Sequence, residues 1–215
     1  MGPIVCLITD RSRLGSGGGQ ATIARVSAAA RAGVHLVMVR ERDLEAGPLT
    51  ALVAGCVEAV HGTRARVVVN ERLDVALAAG AHGVHLRGDS IPAARARTIV
   101  PPAFLIGRSV HAVSEAMSAA DAGGLDYLLF GTVFETLSKP GRSAAGAALL
   151  TGVVAATRVP VLGVGGMTLA TLPGLGRTGA AGFAGIGLFA ELPVGQLPMV
   201  VQQACLAFDT PSSVP

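Results

Sequence analysis

Aromatic side chains are scarce in this 215-residue chain, which has no tryptophan, one tyrosine and six phenylalanines. Nucleic-acid binders usually cluster basic residues on one face, often beside stacking aromatics, whereas the 17 basic residues here are scattered. We therefore expect no nucleic-acid partner. Charged residues are only 14% of the chain, and hydrophobic residues are 51%. The core must consist of Ala, Val, Leu and Ile, which suits helices packed closely on a sheet.

Cysteine and long apolar runs are also lacking. The three cysteines are far apart, odd in number and without metal-ligand spacing, so neither a disulfide framework nor a zinc site is expected. No run approaches the length of a membrane helix, and the first residues lack the basic region of a secretion signal. We expect a cytoplasmic protein that does not bind membranes. The net charge of +3 would help it to capture phosphorylated substrates.

Short apolar runs alternate with helical patterns along the chain. The predicted strands cover residues 4–9, 34–39, 66–70, 83–86, 104–108, 127–131, 160–164 and 182–187. The predicted helices cover residues 21–32, 48–60, 71–79, 92–99, 114–122, 144–157, 169–175 and 196–208. Eight such units predict a single (β/α)8 TIM barrel over 1–209, with a doubly wound sheet as the alternative. Residues 210–215 are expected to form a disordered tail.

A barrel places all of its strand-to-helix loops on one face. The loops after strands 7 and 8 contain Gly165, Gly166, Gly185 and Gly187. Glycines let the backbone approach a phosphate, and these two loops are the usual phosphate site of barrels. The alternative is that the glycines only make tight turns. The glycine-rich stretch 15–19 lacks the downstream Lys-Ser/Thr of a P-loop and is expected to be a loop at the barrel mouth.

Charged residues follow several of the other strands. Arg40 and Lys139 would neutralise an anionic substrate. Glu71 and Asp89 could share a Mg²⁺ ion together with phosphate oxygens. Each acid has another interpretation, since Glu71 could stabilise the first turn of a helix and Asp89 could cap one. His111, near Ser109, could carry protons or could hold a loop through a backbone hydrogen bond.

Eight stretches together resemble the thiamine phosphate synthase and thiazole tautomerase superfamily of small (β/α)8 barrels. Their order and spacing make the resemblance specific, and it covers nearly the whole chain. The stretches are residues 7–10 (LITD), 39–43 (VRERD), 70–77 (NERLDVAL), 83–86 (GVHL), 107–111 (GRSVH), 126–139 (DYLLFGTVFETLSK), 163–167 (GVGGM) and 184–189 (AGIGLF).

The chain departs from the synthase pattern at three positions. Met38 stands where the synthases have a glutamine, and Glu71 stands where they have an aspartate. Ser90 stands where they have a second metal-binding aspartate, with Asp89 one place out of register. These departures indicate the tautomerase branch rather than the synthase branch.

The tautomerase pattern resembles residues 107–111 and 127–136 closely, including Glu135 in place of the synthases' proline. The tautomerase His that directly follows the strand-6 glycine is Thr132 here. A Thr hydroxyl is a poor general base, so proton transfer would fall to His111 or Glu135.

The resemblance therefore implies a thiazole tautomerase-like isomerase, with His111, Thr132 and Glu135 as its catalytic residues. It implies no cofactor for that activity and a homodimer. The alternatives are a thiamine phosphate synthase that uses Mg²⁺, and a non-catalytic protein that binds thiazole phosphate or thiamine phosphate. The residues implied to bind the phosphorylated thiazole are Arg40, Asn70, Ser109, Thr136, Ser138, Lys139, Gly165, Gly166, Ile186 and Gly187.

Overall fold

Eight parallel strands close a barrel in the computed structural model, which describes residues 2–135 and 144–209. Each strand pairs with the next one along the chain, and the last strand pairs with the first. This confirms the predicted (β/α)8 TIM barrel. The strands are β1 Ile4–Ile8, β2 Leu36–Val39, β3 Arg66–Asn70, β4 Gly83–Leu86, β5 Leu105–Val110, β6 Tyr127–Gly131, β7 Val161–Val164 and β8 Gly182–Gly185.

Helices connect the strands on the outside of the barrel. They are α1 Gly18–Arg31, α2 Ala46–Ala59, α3 Leu73–Ala78, α4 Ala93–Arg97, α5 Val113–Asp121, α6 Gly146–Ala155, α7 Leu172–Gly176, α8 Gly187–Ala190 and α9 Leu197–Asp209, with 3-10 helices at Arg11–Gly17 and Val194–Gln196. Within the described ranges, no helix combines the length and the apolar character needed to cross a bilayer.

The structure corrects two local predictions. The loop expected over 15–19 is instead the end of a 3-10 helix and the start of α1. The last strand ends before Gly187, because that residue begins the short helix α8. The predicted tail over 210–215 lies outside the described residues.

The buried side chains form two separate layers. Those inside the barrel come from alternate strand positions and include Cys6, Met38, Val68, Tyr127 and Leu162. The intervening strand positions face outwards and pack against the helices in a much larger apolar layer. Because side chains alternate along a strand, a residue two places beyond an inward-facing one also faces the interior. The barrel interior thus continues upwards into the polar residues at the strand ends.

Candidate functional site

Two clefts open at the end of the barrel where the strands finish. The first, called the glycine cleft here, encloses about 640 Å³ between the ends of β6, β7 and β8. The second, called the arginine cleft, encloses about 890 Å³ and extends from the ends of β4 and β5 down between α4 and α5. The glycine cleft is lined by Arg13, Thr132, Glu135, Gly165, Gly166, Ile186 and Gly187 among others, and the arginine cleft by Arg42, Arg87, Asp89, Arg108, Ser109 and His111 among others.

The glycines after β7 allow that loop to pack closely on the loop after β6. Gly165 and Gly166 have positive φ angles of 102° and 65°. A Cβ on Gly165 would lie 2.4 Å from Cγ2 of Thr132, and one on Gly166 would lie 2.5 Å from the carbonyl oxygen of Glu135. Any larger residue would therefore push the two loops apart. These glycines serve the packing of the cleft whether or not a phosphate binds there.

Two arginines that the sequence interpretation missed frame the glycine cleft. Arg13 lines it and pairs with Asp10 at 3.1 Å and with Glu191 at 2.6 Å. Arg25 reaches from α1 to donate hydrogen bonds to the carbonyl oxygens of Phe189 and Leu192, the latter at 2.8 Å. Arg25 thereby fixes the end of α8. Neither arginine belongs to a motif, so only the folded topology reveals them.

Arg108 holds the loop that follows β4. Its guanidinium donates to the carbonyl oxygens of Gly88, Ser90 and Ile91 at 3.0, 2.9 and 3.1 Å. Neither Arg108 nor Arg42 makes an ion pair with any described residue. The arginine cleft therefore contains positive charge that is not neutralised by a neighbouring carboxylate.

Glu71, Arg87 and Asp89 form one connected group between the ends of β3 and β4. The Arg87 guanidinium donates to Asp89 Oδ2 at 2.7 Å, and Arg87 Nε lies 3.8 Å from Glu71 Oε2. Glu71 Oε1 accepts the Arg87 backbone N–H at 2.7 Å and the Ser90 hydroxyl at 2.5 Å. With Asn70, the group also borders a smaller cavity of about 230 Å³.

The alternative roles of these two acids, in the first turn of a helix for Glu71 and as a helix cap for Asp89, were wrong. Glu71 precedes α3 and has a φ of 67°, so it is not in the first turn of that helix. The residue before α4 is Pro92, and no side chain caps the helix, so Asp89 is not its cap. Both carboxylates are instead held by Arg87.

A buried polar chain crosses the barrel interior beneath the strand ends. His85 Nδ1 lies 3.2 Å from the Tyr127 hydroxyl, and His85 Nε2 lies 2.8 Å from Ser109 Oγ. Burial, assisted by the charge of Arg108, lowers the pKa of His85 to about 3, so the ring is neutral. Gly107 makes room, because a Cβ there would lie 2.1 Å from Tyr127 Cζ. Ser109 lies in β5 itself, and neutral His85 orients its hydroxyl.

His111 and Thr132 come close together at the end of β6. His111 Nδ1 hydrogen-bonds the carbonyl oxygen of Gly131, the residue before Thr132. The His111 backbone N–H donates to Glu115 at 2.7 Å. Thr132 is 7% exposed and presents its methyl group towards Gly165, whereas Glu135 is exposed. Of the two roles left open for His111, the contacts favour the one in which it holds a loop.

Arg40 stands at the mouth of the barrel interior, two places beyond the inward-facing Met38. Its backbone N–H donates to Thr9 Oγ1 at 3.0 Å, and the Thr9 hydroxyl donates to the buried carboxylate of Glu41 at 2.6 Å. Burial and the neighbouring charge of Arg42 lower the pKa of the Arg40 side chain from its usual value. The positions of Thr136, Ser138 and Lys139 lie outside the described residues.

A family model described as thiamine monophosphate synthase matches residues 5–189. The chain is 38% identical over 193 residues to the thiamine-phosphate synthase of Roseiflexus sp. strain RS-1, covering 89% of this chain and 80% of the relative. It is likewise 38% identical over 188 residues to that of Methanoculleus marisnigri, covering 86% of each. The thiamine phosphate pyrophosphorylase structure from Pyrococcus furiosus superimposes with a TM-score of 0.82 at 25% identity, covering 96% of each chain.

These findings overturn the preference for the tautomerase branch, because the relatives and the solved structure are named for the synthase activity. The prediction of a thiazole tautomerase was wrong. Two of the three predicted catalytic residues are also poorly placed for proton transfer. Thr132 turns its methyl group towards Gly165, and the His111 ring is hydrogen-bonded to a backbone carbonyl.

Proposed function

Since the chain belongs to the thiamine monophosphate synthase family, an enzyme family, we propose that it joins an aminopyrimidine methyl diphosphate to thiazole phosphate. The bond between the methylene carbon and the diphosphate oxygen breaks, and pyrophosphate leaves with the bonding electrons. The lone pair of the thiazole nitrogen forms the new bond to that carbon, which gives thiamine phosphate. The observation that carries this proposal is the pair of clefts, one glycine-rich and one arginine-rich, at the same end of the barrel.

This chemistry suits a site without a placed base. No C–H or O–H bond of either substrate has to break, so the enzyme needs to hold two anionic molecules in line and to stabilise the departing charge. Buried Thr132 and backbone-bonded His111 are then adequate where a tautomerase would fail. Glu135, one of the residues that indicated the tautomerase branch, lines the glycine cleft at an exposed position and is assigned no role in this reaction.

The glycine cleft is the proposed site of thiazole phosphate. Backbone N–H groups of Gly165, Gly166, Ile186 and Gly187 would bind the phosphate, as expected for the loops after strands 7 and 8. The guanidinium of Arg13 lies beside them, with Nη1 3.9 Å from where a Cβ on Gly187 would stand. Arg13 is paired there with Asp10 and Glu191, so the backbone N–H groups are the main proposed contacts of the phosphate.

The diphosphate group is proposed to bind between the end of β2 and the arginine cleft. Arg40 and Arg42 follow β2 directly, and neither makes an ion pair with any described residue. A guanidinium can hold two phosphate oxygens at once. Lys139 keeps its predicted role as a further cation, although it lies outside the described residues.

Ser109 and Asn70 are the proposed polar contacts of the pyrimidine end. Asn70 ends β3 two places beyond the inward-facing Val68, so alternation directs its amide towards the barrel mouth. The Ser109 hydroxyl is oriented by His85 beneath it. Met38 provides an apolar floor where the synthase pattern has an amide.

The resemblance associates Mg²⁺ with this reaction, but the residues present do not fit such a site as they are arranged. Both candidate ligands, Glu71 and Asp89, already contact the Arg87 guanidinium. Over the described residues, no three His, Cys, Asp or Glu side chains gather as a metal would require. We therefore assign no step of the reaction to a metal ion.

The test is turnover by the purified protein given both substrates in buffer that contains Mg²⁺, followed by pyrophosphate release and by chromatography of thiamine phosphate. Arg40→Gln should lower kcat/KM by about tenfold or more, because it removes a charge-assisted contact. Arg31→Gln, at an exposed position on α1, is the matched control. Binding of both substrates without product would refute the proposal. The cytoplasmic location and the homodimer stay predictions.

A further inference from the structure

We propose that Arg87 and Arg108 supply, at the ends of β4 and β5, the positive charge that a divalent cation would otherwise supply. A diphosphate then binds this face of the barrel without a metal ion. The inference rests on the proposed synthase function, because it concerns how the same site receives the diphosphate. It follows from the contacts of the Glu71–Arg87–Asp89 group rather than from the resemblance, which implies Mg²⁺.

The first observation is that Arg87 stands between the two carboxylates that a cation would bridge. Arg87 Nη2 donates to Asp89 Oδ2 at 2.7 Å, and Arg87 Nε lies 3.8 Å from Glu71 Oε2. A metal ion shared by these acids would have to displace the guanidinium from both of them.

The second observation is that the loop carrying Arg87 is fixed on both sides. Glu71 Oε1 accepts the Arg87 backbone N–H and the Ser90 hydroxyl, at 2.7 and 2.5 Å. From the other side, Arg108 donates to three carbonyl oxygens of the same loop, Ser90's among them. The group is preorganised, so an anion does not have to order it on binding.

The charges agree with this interpretation. Glu71 and Asp89 contribute −2, and Arg87 and Arg108 contribute +2, so the group is neutral. A divalent cation held by two carboxylates gives the same sum. Arg42 lines the same cleft without an ion pair to any described residue. With Glu115 also counted, the side chains that line the cleft carry three positive and two negative charges, which leaves +1 to attract a diphosphate.

The direct test is calorimetric binding of inorganic pyrophosphate to the full chain, in EDTA and in Mg²⁺. We expect Kd values within about threefold of each other, and Arg87→Gln should weaken binding by about tenfold or more in both buffers. Arg95→Gln, exposed on α4, is the control and should change little. Pyrophosphate binding that requires Mg²⁺ would overturn the inference.

A second readout needs no variant and no substrate. Titration of the protein alone with Mn²⁺, followed by electron paramagnetic resonance, should show no saturable site, and saturable binding would overturn the inference.

If Arg87→Gln fails to fold, Asp89→Asn replaces it in the pyrophosphate binding experiment. That change removes the carboxylate that pairs with Arg87 Nη2. Metal-independent pyrophosphate binding should therefore persist or tighten, and loss of binding would count against the proposal.

Turnover separates this inference from the proposed function. Thiamine phosphate formed equally well in EDTA supports both. Product formed only with Mg²⁺ upholds the synthase function and overturns the inference. Absence of product in either buffer, together with pyrophosphate binding that needs Arg87 and no metal, refutes the synthase function and leaves the anion site standing.

Discussion

Replacing the buried His85 by glutamine should reduce the pH dependence of folding stability. The folded pKa of His85 is lowered to about 3 by burial and by Arg108, whereas an unfolded histidine titrates near ~6.5. The neutral ring is bonded to Tyr127 and Ser109, and its plane stacks at 26° on the Tyr127 ring, with centroids 5.6 Å apart. The folded protein therefore disfavours the protonated form of the His85 ring.

The sign follows from linkage. Because the folded pKa is lowered, the contribution of His85 to stability is complete above about pH 6.5 and is lost as the pH falls towards about 3. At pH 4.5 the loss is roughly 2–3 kcal/mol, from about two pH units at ~1.4 kcal/mol each. His85→Gln should cost about 1 kcal/mol at pH 7.5, through poorer hydrogen bonds, but should avoid this further loss.

The assay is urea unfolding of both proteins at pH 7.5 and 4.5. His35 and His82 also have pKa values lowered mainly by burial, so only the difference between the protein and its variant isolates His85. The exposed His61→Gln controls for the substitution itself. An equal drop in the free energy of unfolding for the protein and His85→Gln would refute the assignment of a neutral, pH-sensitive His85.

Three further predictions concern packing around the two clefts. Gly107→Ala should lower stability by about 1–3 kcal/mol in thermal melts, because its Cβ would meet the Tyr127 ring. Gly166→Ala should raise KM for thiazole phosphate by about tenfold or more in steady-state kinetics, because strain and a clash with the β6 loop displace the phosphate-binding backbone. Arg25→Met should raise the same KM several-fold with kcat little changed, because α8 loses its tether from α1.

A control variant or a contradicting result is defined for each of these three predictions. Gly62→Ala has a similar positive φ of 75° but no atom within 4 Å of the new Cβ, so it should cost stability without raising KM. If Gly62→Ala and Gly166→Ala have equal effects on KM, then packing of the β7 loop is not what matters. A Gly107→Ala variant as stable as the parent, or an unchanged KM in Arg25→Met, would contradict the other two.

The strands and their closure were predictable because buried parallel strands are apolar runs of fixed length with regular spacing. The same periodicity should also have identified His85 as an inward-facing residue, since GVHL alternates like its neighbours. The hydrogen bond between His85 and Ser109, in contrast, becomes visible only when β4 and β5 are paired.

The charged residues of the site were predicted by position but not by partner. Glu71 and Asp89 were candidates for a shared Mg²⁺ ion, because sequence spacing indicates which loops meet but not which side chain lies between them. Arg87 follows its strand directly, and its reach to both acids depends on the turn at Glu71. Arg13 and Arg25 come from the first strand–helix unit, and only barrel closure brings them to β8.

The left-handed backbone at Glu71 has a consequence for directed evolution. Side chains other than Gly, Asn and Asp rarely adopt this conformation, which costs about 1–2 kcal/mol here, and it is retained with the hydrogen bonds to the next loop. A library selected only for heat resistance should therefore accumulate glycine or asparagine at position 71. The same library selected for growth that depends on the product should keep the acid, so the two survivor populations would diverge at a single codon.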